Sequence, residues 1–256
     1  VEIQKRIQNT KDSIEKREES KSVKADPLLM DTEEASNYYV IKNPDGTETR
    51  LVKRVTDRVK EWYRQRFGDK TFSESEKEFN EFKRTLGVKY HNFFEEIHGR
   101  YFNSDGTRKT KVEPRPRIIN SVDEEVYDKL EQYYVDLIAK FSQKGKNPLV
   151  FSEVILYDAK EKEAGTIDLL IVEENGKANI FDWKFMSVSA NANDVPWYKQ
   201  GAYNIQLGRY KDMLMDAYGV KEFGMNRAIP ILMEFRKKNT TKKDDLGLTI
   251  SGIAIG

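Results

Sequence analysis

The chain has no cysteine. Disulfides, thiolate zinc sites and cysteine nucleophiles are therefore excluded, and a reducing, intracellular and cytoplasmic setting is expected. Long apolar runs are missing too. Nothing approaches the roughly 18 residues a membrane span needs, so no membrane role is expected. No secretory leader is visible. Net charge is almost absent: 44 Lys and Arg stand against 43 Asp and Glu, a balance of +1. That excludes a polyelectrolyte tail and any strong whole-molecule pull on nucleic acid or membrane. Histidine is scarce, with two residues, His91 and His98. They do not form the His-Glu-x-x-His spacing of a zinc protease.

What is present is a 256-residue chain, 34% charged and 38% hydrophobic, with 13 Tyr, 13 Phe and 3 Trp to build a core. This suits one large domain, or one domain with appendages. The chain opens on Val1 and closes on a strand-like run, 246–256, and so reads as a piece of a longer protein. Within the segment 1–30, the stretch up to Lys24 carries apolar side chains only at Val1, Ile3, Ile7, Ile14 and Val23. So sparse a stripe predicts a charged, frayed helix or flexible linker that does not dock firmly. The rest, 31–256, is expected to form one domain with a core from about 79 to 256.

Residues 38–55 predict a hairpin around the turn Asn43-Pro44-Asp45-Gly46, followed by a short helix at 57–67. Phe79, Phe82, Leu86, Tyr90, Phe93, Ile97 and Tyr101 recur at helical spacing. Ser121 and Glu124 predict a capping box opening a second long helix. The pattern then changes to strand-like runs at 149–157, 166–172 and 178–185, a helix at 197–218, and strands at 228–235 and 248–255. Strands after two long helices predict an α/β fold, a mixed sheet with helical cover.

The chemistry concentrates between 153 and 210. Thr166-Ile167-Asp168-Leu169-Leu170 places one carboxylate inside an apolar strand, and Phe181-Asp182-Trp183-Lys184 puts a carboxylate and an amine two residues apart. Strand alternation turns Asp182 and Lys184 to one face, and the hairpin register can bring Asp168 beside Asp182. Two carboxylates about 4 Å apart repel by roughly 4 kcal/mol at an effective dielectric near 20. One is then forced neutral, or a divalent cation sits between them. Oxygen ligands point to Mg²⁺ or Mn²⁺. With a lysine beside the cation, this is machinery for cutting a phosphodiester. The plainer alternative is a solvated sheet face on which Lys184 makes an ordinary salt bridge.

Four motifs in order carry a resemblance. They are Gly87-Val88-Lys89-Tyr90-His91, Gly165-Thr166-Ile167-Asp168, Asp182-Trp183-Lys184 and Gln206-Leu207-Gly208-Arg209-Tyr210. In this order the chain resembles the PD-(D/E)xK nuclease superfamily, in its RecB-like exonuclease branch. The lead-in at 38–59, with Arg54-Val55-Thr56 and then Trp62, is similar to phage and mitochondrial genome-maintenance exonucleases. The resemblance implies a restriction-endonuclease-like core with a helical and hairpin N-terminal extension, and it suggests a phage-encoded enzyme. It implies that His91, Asp168 and Asp182 hold Mg²⁺ or Mn²⁺, with the main-chain carbonyl of Trp183 as a further ligand. It also implies that Lys184 is the catalytic lysine, that Gln206 and Tyr210 steady the site and contact DNA, and that Glu153 is an outer carboxylate. His98 is an accessory candidate. Phe185 stands where the family has a small hydroxyl residue, and Val88 where it has a small one.

A basic stretch carries Arg108, Lys109, Lys111, Arg115 and Arg117, expected to meet nucleic acid. Trp197, Tyr198 and Tyr203 adjoin the last motif and are candidates for stacking bases. The expected activity is metal-dependent hydrolysis of DNA, as an exonuclease on single strands or duplex ends, with a helicase or replication or recombination partner. The alternatives are an RNA endonuclease with the same site, and a catalytically silent nucleic-acid-binding module of a larger assembly.

Overall fold

The computed structural model describes residues 2–18, 37–51, 53–69, 71–142, 146–187, 195–237 and 248–256. In chain order these form α1 (Glu2–Ser13), β1 (Ile14–Glu18), β2 (Asn37–Lys42), β3 (Glu48–Leu51), β4 (Lys53–Arg54), α2 (Val55–Phe67), α3 (Glu74–Tyr101) and α4 (Ser121–Ala139). There follow β5 (Leu149–Asp158), β6 (Glu163–Val172), β7 (Ala178–Ser187), α5 (Trp197–Tyr218), β8 (Phe223–Lys237) and β9 (Leu248–Ile255). Among the described residues, no helix is long and apolar enough to cross a membrane.

The architecture is α/β: a mixed six-stranded sheet between helical layers, with a three-stranded antiparallel sheet, β1-β2-β3, beside it. β5, β6 and β7 form an antiparallel meander, β8 runs parallel to β7, and β9 returns antiparallel. Alternation along the strands builds two cores. Leu169, Ile171, Phe181 and Trp183 face α3 and α4, meeting Leu86, Tyr90, Phe94, Val126 and Leu130. Leu170, Val172, Ala178 and Ile180 face the other way, onto Leu207, Tyr210 and Leu214 of α5 and Ile3 and Ile7 of α1.

The helix ends have local causes. Ser73 accepts from the Glu76 backbone N–H while its own N–H donates to the Glu76 carboxylate, so a capping box opens α3. The box predicted at Ser121 and Glu124 does not form. Asn120 caps α4 instead, accepting from the N–H groups of Val122 and Asp123. Gly219 closes α5 in the left-handed conformation at φ 72°.

The N-terminal segment corrects the expectation of a frayed helix. Ile3 and Ile7 of α1 are buried against α5, Arg6 donates to the Ala217 carbonyl at 2.8 Å, and Thr10 Oγ1 meets Tyr218 Oη at 2.6 Å. Two isoleucines a turn apart suffice because α5 offers polar partners at its C-terminal end. β1 adds a third strand to the predicted hairpin, pairing Ile14 with Ile41 and Lys16 with Tyr39. Val23 and the rest of 19–36 lie outside the described residues.

A buried ion-pair network ties the layers together. Glu163, 1% exposed, accepts from Arg58 of α2 at 2.6 and 2.9 Å and from Arg209 of α5 at 2.7 Å. Arg209 also donates to Asp158 at 2.6 Å. Burial pushes the Glu163 carboxyl up, but the two guanidinium groups win and hold it below its usual range. Breaking one partner of a buried pair costs about 3 kcal/mol. Glu163→Gln is expected to lose about that much in urea unfolding. A carboxylate with a lowered folded pKa stabilises above its unfolded value, about 4.3, and that stability disappears as pH falls through the folded value. Wild type should therefore lose stability on acidification below about pH 4.3 more steeply than Glu163→Gln, and parallel pH profiles would contradict the pairing.

Candidate metal centre

The site forms where the sheet is irregular. β5 follows β6 along one edge through the pairs Phe151↔Leu170 and Val154↔Ile167. Phe151, Leu170, Val154 and Ile167 all lie in the same core, although regular alternation would turn residues three apart to opposite faces. Between them the rung Glu153–Asp168 is not paired, and Glu153 has φ +50°. A non-glycine residue in that region is strained, by about 1 kcal/mol or more, and persists only where its surroundings hold it. The kink swings both carboxylates out of the regular pleat.

The opposite edge of β6 opens at the same level. Its ladder with β7 stops at Leu169↔Phe181, and β4 pairs only with residues 163 and 164. Extending the register sets Asp168 across from Asp182, as predicted, but here the strands have parted. The free N–H of Trp183 donates instead to Asp168 Oδ2 at 2.7 Å. In an extended strand a residue's N–H and C=O leave on the same side, so the Trp183 carbonyl also faces the gap.

Into this gap α3 brings His91. His91, Glu153 and Asp168 each offer a ligand atom within 4.8 Å of the others, and His91 Nε2 lies 3.9 Å from Asp168 Oδ2. Burial pushes the His91 pKa down against the pull of Glu153 and Asp182, so near neutral pH its ring keeps a lone pair for a cation. Asp168 is raised well above the carboxylate range, first by burial and then by the charges of Asp182 and Glu153. Glu95, one turn along α3, is raised by partial burial and then by Glu153. The cluster holds more negative charge than its own lysines neutralise.

Asp182 is 2% exposed and sits behind the cluster. Lys184 Nζ lies 2.5 Å from Asp182 Oδ2, but off the direction of a hydrogen bond, so that buried oxygen has a near cation and no directed donor. Strand alternation puts the two on one face, as the sequence requires. Gln206 of α5 fixes both: its Oε1 accepts from Lys184 at 2.9 Å, and its Nε2 donates to Asp182 Oδ1 at 3.3 Å and to Tyr210 Oη at 3.1 Å. A side-chain amide offers an acceptor to the ammonium and a donor to the carboxylate at once. Gly165 is required here because a Cβ would meet the Tyr210 ring at 2.6 Å and Val55 at 2.7 Å. Lys184 also lies over the Tyr203 ring, 5.2 Å from its centroid.

The predicted set therefore divides. His91, Glu153, Asp168, Asp182, Trp183, Lys184, Gln206 and Tyr210 come together. His98 does not join them: its Nδ1 lies 2.8 Å from Tyr134 Oη, its ring stacks on Phe102, and burial, with Lys109 adding, lowers its pKa to about 4. Among the basic residues, Lys109 pairs with Glu113 and with the Gly99 carbonyl, and Arg115 with Asp128. Arg108, Lys111 and Arg117 are exposed. Phe185 packs beside His91 and Tyr90, with ring centroids 5.2 and 5.9 Å away. It shapes a groove of about 480 Å³ lined by His91, Lys184, Lys83, Arg84 and Lys199.

One site residue escaped sequence reasoning. Lys16 of β1 reaches Glu153 Oε2 at 3.2 Å. Its only signal is the same strand parity as Ile14, and that is visible only if Ile14–Glu18 is read as a strand.

No protein-family model matches this chain, and no curated protein matches it.

The donor set suits a hard dication: three carboxylates, one imidazole, a carbonyl, and a buried Asp182 oxygen without a directed donor. A ligand that binds only the folded state raises its melting temperature. Mn²⁺ should therefore raise the melting temperature of wild type, while Asp168→Asn should melt no lower than wild type without metal and lose the Mn²⁺ shift. An equal Mn²⁺ shift in Asp168→Asn would contradict the site.

Proposed function

We propose that this protein is a divalent-metal-dependent nuclease of the PD-(D/E)xK superfamily, with a restriction-endonuclease-like core, that hydrolyses DNA phosphodiester bonds from single strands or ends. The observation that carries the reading is convergence. Residues from four separate segments, His91, Asp168, Asp182 with Lys184, and Gln206 with Tyr210, meet around one gap between β6 and β7.

In this reading His91, Asp168 and Asp182 hold Mg²⁺ or Mn²⁺, with Glu153 and the Trp183 carbonyl as further donors. The cation supplies charge neutralisation at the phosphate and a lowered pKa for water. Lys184 keeps its ammonium at the mouth of the gap, oriented by Gln206, where it can hold a phosphate oxygen or an attacking water by hydrogen bond. Tyr210, 2% exposed, braces Gln206 from behind and has no route to substrate. The groove beside His91 and Lys184 carries Lys83, Arg84 and Lys199, matching a phosphate backbone in charge. Phe67, Trp197 and Tyr198 group at the start of α5, with Trp197 61% exposed, and offer faces to unstacked bases.

The test is cleavage of labelled single-stranded DNA, duplex DNA and RNA side by side in Mn²⁺. Wild type should degrade DNA, and Asp182→Ala and Lys184→Ala should each lose about 10²-fold or more in rate while keeping the wild-type circular dichroism spectrum. Cleavage of RNA alone would reassign the substrate, and undiminished cleavage by either variant would remove the mechanism.

A further inference from the structure

The small sheet β1-β2-β3 does more than cover the large one. Ile14 is 2% exposed and packs with Tyr39, Leu51 and Ala164. Period two turns Lys16 to the side of the strand that meets Glu153, while Glu15 and Arg17 lie on the other side and pair with Lys42 and Glu48. The register sets Lys16 opposite Tyr39, whose Oη is 2.7 Å from Thr166 Oγ1, two residues before Asp168. The hairpin is thus anchored at the cluster, and it delivers an ammonium 3.2 Å from Glu153. An apolar side chain at this position would extend the Ile14 core. The Lys16 side chain, 33% exposed, instead points its ammonium at a carboxylate of the cluster.

Charge and position say what it is for. Glu153, Asp168 and Asp182 face Lys16 and Lys184. A dication taken up by the three carboxylates turns the net charge of this set from −1 to +1, with the two ammonium groups on different flanks, Lys184 toward β7 and Lys16 toward β5. The flanks have separate cavities. The groove of about 480 Å³ adjoins His91 and Lys184, and one of about 190 Å³ adjoins Glu153, with Lys11, His98 and Ser104 on its wall and Lys16 outside it, across Glu153.

We infer that Lys16 is a substrate-phosphate ligand of this site, contributed by the N-terminal hairpin to a phosphate neighbouring the one that is cut. This rests on the nuclease reading and deepens it. Removing a contact to one phosphate of a single strand lowers the slope of log affinity against log salt by about 0.7.

Binding of a short fluorescein-labelled single-stranded DNA, measured by anisotropy in Ca²⁺ over a salt series, reads this directly. Lys16→Met should weaken binding by about fivefold or more and lower the slope by about 0.7, and in Mn²⁺ it should raise KM more than it lowers kcat. Lys16→Arg should keep the wild-type slope. Arg17→Gln, on the other side of the same strand and paired with Glu48, should match wild type in affinity, slope and KM. Thermal melts accompany each variant, and Lys16→Gln replaces Lys16→Met if the latter melts early. Wild-type slope and KM in Lys16→Met overturn the inference alone, as does an equal loss in Arg17→Gln. A wild type that neither binds nor cuts DNA overturns the nuclease reading and this inference with it.

Discussion

The repulsion among Glu153, Asp168 and Asp182 is the constraint around which the molecule is organised. Like charges this close are costly in a partly buried setting, and Asp168 shows the cost as a strongly raised pKa. A fold selected for stability alone would separate them. Instead the backbone is bent to bring them together, with Glu153 held at φ +50° and the β6–β7 ladder opened at the same level. Strain and charge concentrated at one rung make a cluster whose repulsion a hard cation would offset.

Such a rung persists only if its surroundings are stiff. The guanidinium groups of Arg58 and Arg209 clamp Glu163 at the start of β6, and Arg209 also holds Asp158 at the end of β5. Gly165 lets the Tyr210 ring lie against the strand three residues before Asp168. Tyr210, Gln206, Asp182 and Lys184 then form a chain of hydrogen bonds and ion contact whose directions are set by chemistry rather than by loop geometry. One helix, α5, thus supplies both the scaffold cation and the amide that orients the site.

Much of this was legible in the sequence because it depends on periodicity. The bounds of α5 and β9, the turn at 173–176 and the shared face of Asp182 and Lys184 follow from spacing alone. The Gln206–Tyr210 pair follows from one helical turn. What could not be read depends on tertiary context. Ile14–Glu18 has four charged residues in five and reads as solvent-exposed, yet it is a paired strand whose Lys16 enters the site. His98 shares the helix with His91 and, seven residues on, the same face, but Tyr134 and Phe102 enclose it. The kink at Glu153 has no local signal, because neither glycine nor proline marks it. Asn120 displaced Ser121 as the α4 cap because both are good caps one residue apart.

The central claim is that one cation joins residues of α3, β6 and β7. An anomalous-difference map from a crystal soaked in Mn²⁺ tests it most directly. A single strong peak is expected in the gap between β6 and β7, within bonding distance of His91 Nε2 and of carboxylate oxygens of Asp168 and Asp182, with Glu153 as a further donor. No peak there at saturating Mn²⁺, or a peak held by other residues, would contradict it.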